Sequence, residues 1–401
     1  MAKARKMIDG HRDTIDKIDK ARRDIAPDGF DVWIHAASLG EFEQARPLIE
    51  KIKRETPSTT ILLTFFSPSG YEVRKNYPQA DAVAYLPFDT PRNARRFLDA
   101  ARPKKAIFVK YEFWGNYLQQ LRRRKIPTYI ISAIFRTSQI FFRPYGRFMR
   151  KLLKCYTKLF VQDENSKALL AKIGITKVEV TGDTRFDRVT DVMRSNVDFP
   201  IVTEWKNRSD DPLIVVGSSW QPDEACYIPY LNSRPEIRAI IAPHEFDAER
   251  LSELQSKLNG KSQLFSDAEK KGCVDSGVKY LIVDSFGKLS SLYRYGDAAI
   301  IGGGFGAGIH NINEAAVYSI PVIFGPNHHK FKEASDLMRC GGGFEYTDKQ
   351  SLAEILNKLF DSSDHAKLQE AGKAAGEYIK RNLGATDKVY AQIFNNKTKA
   401  K

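Results

Sequence analysis

The sequence predicts an α/β protein with two domains, each built around a parallel sheet. The chain has 401 residues, which is longer than one ordinary domain. Short β-rich runs alternate with amphipathic helical stretches along the whole chain, which is typical of βα units. A polar segment with little β character, residues 191–211, interrupts this alternation near the middle. We therefore expect two Rossmann-like domains in tandem, covering residues 1–195 and 205–375.

Apolar runs of strand length define the expected sheets, and helical stretches such as residues 43–56 and 91–101 lie between them. The predicted strands are 32–36, 60–65, 82–86, 105–109, 128–131, 158–161 and 178–181 in the first half, and 213–216, 239–241, 280–283, 298–301 and 321–324 in the second. Ligands of such sheets bind at the carboxyl ends of the strands, so two facing domains would place a binding cleft between those ends.

Composition excludes several classes of protein. Hydrophobic residues make up 42% of the chain and charged residues 28%, which excludes wholesale disorder and collagen-like repeats. The four cysteines lie far apart without a C-x-x-C pair, so neither a disulfide scaffold nor a structural zinc site is expected. The sequence contains no apolar run near the ~20 residues of a membrane span. The basic N-terminal residues also lack the apolar segment of a signal peptide.

The positive charge is confined to the first half of the chain. Formal net charge is +14, yet residues 1–200 hold 38 basic and 23 acidic residues, so the remainder is nearly neutral. Residues 101–160 hold 15 basic residues and a single acid, Glu112. Such a surface attracts anionic partners. Aromatic and basic residues interleave in residues 135–154, which suits a lipid surface, although a solvated basic face over core aromatics is the alternative.

A first candidate site follows the strand that ends at Ala36. A turn of small residues, with Ser38 and Gly40, leads into a helix that we expect to begin near Glu41. A helix N-terminus favours an anion, so Glu41 is a candidate functional carboxylate or merely a favourable acid of the first turn. Residues 62–72 repeat the arrangement around Ser67, whose alternative role is an ordinary helix cap.

Glu112 marks a second candidate site. It follows the strand at residues 105–109, and Trp114 and Asn116 come just after it. Its position at a strand end favours a role in ligand binding or catalysis. The alternative is that this carboxylate only neutralises neighbouring arginines.

A glycine-rich loop provides the third site. Residues 300–331 predict a strand, a loop with five glycines, a helix that opens near Asn311 with Glu314 in its first turns, and a further strand. Glycines let a backbone approach a phosphate closely, and Glu314 could accept hydrogen bonds from ribose hydroxyls. The pattern is neither G-x-G-x-x-G nor a P-loop. The two adjacent histidines at residues 328–329 could bind a metal ion, but no third ligand lies at a suitable spacing, so no metal is expected.

The motifs and their order resemble those of the bacterial Kdo (3-deoxy-D-manno-octulosonic acid) transferases, a GT-B glycosyltransferase family of lipopolysaccharide assembly. The resemblance spans about residues 30–390. The residues that carry it are His35, Ala36, Ser38, Gly40 and Glu41; Thr64, Ser67 and Gly70; Glu112, Trp114 and Asn116; Gly182, Asp183, Arg185, Phe186 and Asp187; and Gly302, Gly303, Gly308, His310, Asn311, Glu314, Ala315, Pro321, Val322, Gly325, Pro326 and Phe331.

This resemblance implies an inverting transfer of Kdo from CMP-Kdo to the lipid A disaccharide precursor without a cofactor. The implied catalytic carboxylates are Glu41, as general base, and Glu112. The implied donor-binding residues are Ser218, Ser219, His244, Gly303, Gly304, His310, Asn311 and Glu314. The implied acceptor-binding residues are Ser38, Gly40, Ser67, Arg136 and Arg185. A C-terminal helix within residues 376–401 is expected to pack back on the first domain.

The resemblance also implies a partner surface and a location. We expect contact with an anionic membrane, on the cytoplasmic face of the inner membrane, although the N-terminal anchor usual in the family is not seen in this sequence. Two alternatives are open: another GT-B enzyme that uses a UDP-sugar and a lipid-linked acceptor, and a nucleic-acid-binding protein that uses the basic half. The latter is disfavoured because no helix-turn-helix, zinc-finger or RNP pattern accompanies the charge.

The sequence departs from the family pattern at several positions. Two of the departures remove an expected arginine, for which Arg136, Arg143 or Arg185 could compensate. The departing positions are Lys110, Gly115, Ser132, Ile134, Pro243 and His244.

Overall fold

The protein folds into two compact units, each with a seven-stranded parallel sheet. The computed structural model describes residues 13–195, 197–360 and 366–395. Contacts separate residues 189–381 (unit 2) from the segments before and after them, 1–188 and 382–401 (unit 1). The predicted α/β class with two Rossmann-like domains is confirmed.

Unit 1 follows a regular alternation of strand and helix. Its strand order is β3-β2-β1-β4-β5-β6-β7, all parallel. In chain order the elements are α1 (Thr14–Ile25), β1 (Val32–His35), α2 (Leu39–Glu55), β2 (Ile61–Phe65), α3 (Pro68–Arg74), β3 (Ala82–Tyr85), α4 (Pro91–Ala101), β4 (Ala106–Val109), α5 (Gly115–Arg123), β5 (Thr128–Ala133), a 3₁₀ turn (Ile140–Phe142), α6 (Arg147–Leu153), β6 (Lys158–Val161), α7 (Glu164–Lys172), β7 (Val178–Val180) and α8 (Arg185–Arg194).

Unit 2 has the strand order β10-β11-β9-β8-β12-β13-β14, again all parallel. Its elements are α9 (Pro200–Lys206), β8 (Leu213–Ser219), α10 (Gln221–Ser233), β9 (Arg238–Pro243), α11 (Ala248–Ser256), β10 (Lys261–Leu264), α12 (Phe265–Lys271), β11 (Val278–Ile282), α13 (Leu289–Leu292), a 3₁₀ turn (Tyr293–Tyr295), β12 (Ala298–Ile301), α14 (Asn313–Ala316), β13 (Val322–Phe324), α15 (Lys332–Cys340), β14 (Gly343–Glu345), α16 (Lys349–Phe360) and α17 (Ala366–Arg381). A last helix, α18 (Ala385–Phe394), belongs to unit 1.

Burial explains why these runs form central strands. Every residue of β1, β2, β4 and β12 is buried, as expected for parallel strands covered by helices on both faces. The helix starts are encoded locally as well. Thr90 and Asp163, for example, accept hydrogen bonds from backbone N–H groups in the first turns of α4 and α7.

Three features differ from the sequence-based description. The strands β10 and β14 were not predicted. Residues 191–211 are not a simple linker, because α9 lies within them and packs in unit 2, where Phe199 N and Thr203 Oγ1 donate to the Tyr295 hydroxyl. Within residues 376–401, the end of α17 belongs to unit 2 whereas α18 packs on α2 in unit 1.

Among the described helices, none combines the length and the apolar character needed to cross a bilayer.

Candidate functional site

The sheet order of unit 1 brings two predicted motifs together. Strands β1 and β4 are neighbours although two strands separate them in sequence, so this is the crossover point where ligands of such sheets bind. His35 is the last residue of β1, and Glu112 lies three residues beyond β4. His35 Nε2 lies 3.2 Å from Glu112 Oε2, and both side chains are buried.

Glu41 lies in the first turn of α2, half-buried, as the motif predicted, although the helix itself starts at Leu39. The Ser38 hydroxyl donates to the Glu41 carboxylate and does not cap the backbone of α2. Ser38 therefore orients Glu41. Gly40, which precedes this carboxylate, is exposed, and a Cβ there would make an ordinary contact with Ser38 Oγ, 3.8 Å away.

Ser67 lies on a neighbouring loop. Its backbone N–H donates to the Ala37 carbonyl oxygen at 2.7 Å, which ties this loop to the one that holds Ser38. Its hydroxyl accepts from Ser69 N at 3.3 Å and caps α3. The capping role given as the alternative is therefore present, and contact with a ligand stays a prediction.

Arg185 and Arg136 have different surroundings in unit 1. Arg185 donates two hydrogen bonds to Asp183 Oδ2, at 2.8 and 2.9 Å. Burial opposes ionisation of Asp183, but the charge and hydrogen bonds of Arg185 hold the pKa of this carboxyl below its usual value. Arg136 is exposed and donates to the Tyr111 hydroxyl at 3.0 Å. Of the two, Arg136 is the better placed to meet a solvent-borne anion.

Unit 2 repeats the crossover arrangement with β8 and β12 as neighbours. The glycine-rich loop after β12 packs backbone on backbone against the end of β8 and against Gly325, which follows β13. A Cβ on Gly302 would lie 2.3 Å from the Ser218 carbonyl oxygen, and one on Gly304 would lie 2.5 Å from Gly325 Cα. Gly303 has a φ of +91°, which an L side chain rarely adopts. The glycines of this loop are therefore needed for its close packing against the ends of β8 and β13.

A buried carboxylate, which the sequence analysis missed, holds the glycine-rich loop. Asp223 Oδ2 accepts from the backbone N–H groups of Trp220 at 2.9 Å and Gly303 at 3.0 Å. Burial raises the pKa of Asp223, and these two hydrogen bonds oppose the shift. An acid at the third position of α10 was the available signal, but it indicates a helix cap and not the long-range bond to Gly303.

Three aromatic side chains lie together at this edge of unit 2. The rings of Trp220 and His244 stack with centroids 4.2 Å apart, and the His244 and His310 centroids lie 4.9 Å apart. Trp220 Nε1 donates to His310 Nε2 at 3.3 Å. Burial, and then the nearby His244, lower the pKa of His310, so a neutral His310 is favoured. The structure thus brings His244 and His310 together and adds Trp220, which was not predicted.

Asn311 and Glu314 are also in contact, and a helix opens near Asn311 as expected, although it is short. The helical turn α14 begins at Asn313 and has only four residues. The Glu314 carboxylate accepts from Asn311 Nδ2 at 2.9 Å and from Ser290 Oγ at 2.6 Å. It is therefore held in place, and a ribose hydroxyl would add to existing bonds.

The described residues contain no cluster of three His, Cys, Asp or Glu side chains that could hold a metal ion. His328, one of the two adjacent histidines noted in the sequence, places Nε2 2.7 Å from Glu345 Oε2 inside unit 2. That the reaction needs neither metal nor cofactor stays a prediction.

Comparison with known proteins finds similarity to one family of enzymes. A family model described as 3-deoxy-D-manno-octulosonic-acid transferase (kdotransferase) matches residues 10–188. The 3-deoxy-D-manno-octulosonic acid transferase of Bordetella pertussis is 27% identical over 380 residues, which cover 90% of this chain and 86% of that protein. The enzyme of the same name from Aquifex aeolicus is 26% identical over 351 residues, which cover 85% of this chain and 89% of that protein.

Solved structures support the fold. A UDP-GlcNAc 2-epimerase from Neisseria meningitidis, bound to UDP-GlcNAc, is similar with a TM-score of 0.58 and 14% identity, and 91% of this chain and 100% of that chain are covered. The UDP co-structure of S. aureus MnaA gives a TM-score of 0.61 and 12% identity, with 91% and 96% covered. At these identities the likeness concerns the two-domain fold alone. The family model over residues 10–188 and the relatives that match most of the chain show that this protein is similar to 3-deoxy-D-manno-octulosonic acid transferases, and they support a Kdo transferase.

Proposed function

We propose that this protein transfers Kdo from CMP-Kdo to the lipid A disaccharide precursor in lipopolysaccharide biosynthesis, with inversion at the anomeric centre. Relatives with this transferase name match about nine-tenths of the chain and support the proposal. The observation that carries it within the structure is Glu41. This carboxylate lies at a helix N-terminus, is oriented by Ser38, and follows the exposed Gly40.

Glu41 is the general base in this proposal. The acceptor hydroxyl must lose its proton as the new glycosidic bond forms, and a half-buried carboxylate can accept it. Glu112 is the second carboxylate, whose negative charge would favour a transition state with oxocarbenium character. Arg136 is a candidate for the anionic groups of the acceptor, since it is exposed and anchored by Tyr111.

Unit 2 would hold the donor. The glycine-rich loop after β12 would contact the donor phosphate through its backbone, and Glu314 is fixed where it could accept from ribose hydroxyls. His244 and His310 would line the same edge of the sheet. No metal is invoked, because backbone N–H groups and histidine N–H groups can stabilise the leaving phosphate.

The acceptor carries acyl chains, so the enzyme must work at a membrane surface. Three apolar side chains are exposed in a basic part of unit 1: Ile140, Tyr145 and Phe148 are 44%, 75% and 62% exposed. Arg143 and Arg147 are exposed in the same segment. This combination suits binding to an anionic lipid surface, and we propose the cytoplasmic face of the inner membrane as the location. We refer to these five residues as the aromatic–basic patch.

The direct test is incubation of the purified protein with CMP-Kdo and tetra-acylated lipid A precursor, followed by mass spectrometry of the lipid. The expected result is a mass increase of one or more Kdo residues, lost in Glu41→Gln. UDP-sugars serve as competing donors in parallel reactions. Transfer from a UDP-sugar but not from CMP-Kdo would contradict the proposal in favour of the other GT-B enzyme. The comparisons give no support to the nucleic-acid alternative.

A further inference from the structure

His35 is a buried titratable residue to which the proposed reaction gives no role. It ends the central strand β1, is fully buried, and pairs in register with Thr64 of β2 and Phe108 of β4. Its ring lies edge-on against Phe108 and Trp114, with centroids 5.9 and 5.8 Å away. A polar ring in this position must satisfy both of its nitrogens within the protein.

The first nitrogen is committed to Thr64. His35 Nδ1 lies 2.9 Å from Thr64 Oγ1 and 3.2 Å from the Thr64 carbonyl oxygen. The same hydroxyl accepts from Trp33 Nε1 at 2.8 Å, so its own proton is available for His35 Nδ1. Nδ1 therefore either accepts from the hydroxyl or donates to the carbonyl oxygen.

The second nitrogen faces a carboxylate. His35 Nε2 is buried, and within the described residues it makes no hydrogen bond of good geometry, but it lies 3.2 Å from Glu112 Oε2. A nitrogen lone pair pointing at a carboxylate oxygen would be repulsive. Whichever role Nδ1 takes, Nε2 therefore carries a proton and directs it at Glu112.

The Glu112 carboxylate is thus held from two sides. Trp114 Nε1 also donates to Oε2, and the Glu112 side chain is largely buried. Both contacts fall on Oε2, which leaves Oε1 outside this arrangement. A carboxylate held in this way presents a fixed negative charge, which is what an oxocarbenium-like transition state requires of a second carboxylate.

We propose that His35 is a positioning residue: Thr64 fixes the ring with the proton on Nε2, and this N–H holds the Glu112 carboxylate in a single orientation. The proposal rests on the proposed function insofar as Glu112 takes part in the transfer. The part that concerns Thr64, His35 and the Nε2 proton stands on the geometry of unit 1 alone.

The kinetic test is a double-mutant cycle on Kdo transfer with His35→Asn and Glu112→Gln. Asn cannot place an N–H near the Nε2 position, so we expect kcat to fall about 10–100-fold with little change in the KM for CMP-Kdo. The double variant should be no slower than Glu112→Gln, because His35 acts only through Glu112. His35→Gln, which can place an N–H near Nε2, should recover part of the loss. If each substitution lowered kcat by its own factor and the double variant showed the product of the two factors, the proposal would be overturned. Full activity of Glu112→Gln would overturn it as well.

The matched control is a second histidine–glutamate pair, formed by the buried His328 and the half-buried Glu345 in unit 2. His328→Asn should lower the thermal midpoint as His35→Asn does, yet its effect on kcat should not depend on Glu112. If His328→Asn reproduced the kinetic cycle of His35→Asn, the effect would be one of stability and the positioning role would be refuted.

An NMR measurement tests the proton position without any activity. The ¹⁵N shifts of the His35 ring should show a protonated Nε2 in the unmodified protein, and Thr64→Val should change the Nδ1 signal. An unprotonated Nε2 would overturn the proposal. If the unmodified protein transferred no Kdo, the proposed function would fail instead, and the NMR result alone would then decide the His35 assignment.

Discussion

Removing the Asp223 carboxylate should loosen the glycine-rich loop of unit 2. Asp223 is 1% exposed and accepts two backbone hydrogen bonds, from Trp220 and Gly303. Asp223→Ala would leave both N–H groups without an acceptor, at about 1–3 kcal/mol each. A loss near 3 kcal/mol corresponds to a fall of roughly 6–12 °C in the thermal midpoint of a unit this size. Calorimetry of the purified variant measures it.

The contribution of Asp223 to the stability of the folded protein should also depend on pH. Because burial raises the pKa of Asp223 in the folded protein, its contribution to stability is greatest below the ordinary aspartate pKa. That contribution is lost as the pH rises through the raised value. Asp223→Asn keeps an oxygen acceptor but cannot ionise. The midpoint of the unmodified protein should therefore fall relative to Asp223→Asn as the pH rises from the ordinary aspartate pKa through the raised pKa of the folded protein.

Asp183 of unit 1 provides a control of opposite sign. Burial opposes its ionisation, but Arg185 keeps its pKa below the usual value, so its contribution is present at neutral pH and lost as the pH falls through the lowered value. Relative to Asp183→Asn, the midpoint of the unmodified protein should rise with pH. The difference in thermal midpoint between the unmodified protein and its Asn variant should thus change with pH in opposite directions at Asp223 and Asp183. A change in the same direction at both positions, or an Asp223→Ala variant as stable as its parent, would refute this account of the loop.

Three further predictions concern the proposed reaction. Glu41→Gln should reduce turnover about 10²–10⁴-fold with unchanged CMP affinity by calorimetry, and near-normal turnover would exclude the general-base role. Glu314→Ala should weaken CMP binding about tenfold or more, since it removes hydrogen bonds to a charged group, and an unchanged Kd would exclude it as a ribose contact. Reversing Arg143 and Arg147 in the aromatic–basic patch should reduce flotation with anionic vesicles, by about 1 kcal/mol for each residue, whereas the same charge change at Lys349 and Lys373 in unit 2 should not. Equal flotation of both variants would contradict the membrane role.

Residues 122–124 are a less suitable place than the aromatic–basic patch to test membrane binding by charge reversal. Charge reversal of residues 122–124 is the simplest experiment from sequence, because these three arginines are consecutive. Arg124, however, is bound to Asp99 at 2.9 Å and donates to the Arg95 carbonyl oxygen. Reversing it would disturb the packing of α4 and α5, so a loss of vesicle binding could not be assigned to the surface charge.

Sequence patterns located the sheets well because buried parallel strands are continuous apolar runs. The strand β10 escaped detection because it is a short edge strand with the polar sequence Lys-Ser-Gln-Leu, and β14 has only three residues. The helix expected near Asn311 opens at Asn313 and is only four residues long.

The candidate site was predictable at the level of motifs and not of contacts. Glu41 and Glu112 stand out from sequence because each is an acid at a strand end. The partners that orient them depend on which strands are neighbours: Glu112 meets His35 only because β1 and β4 are adjacent. For the same reason Asp223 looked like a helix cap, and its bond to Gly303, 80 residues away, was visible only in the fold.

The return of α18 to unit 1 has a consequence for how the chain is made. Val389, Tyr390 and Ile393 of α18 belong to the apolar core of unit 1, and Asp187 binds the N–H groups of Gly384 and Thr386. The ribosome must synthesise all of unit 2 before this helix emerges, which takes about 10–40 s at bacterial elongation rates. During that interval the nascent first unit is incomplete, with an apolar face that a chaperone must shield or that folding of the final helix must close.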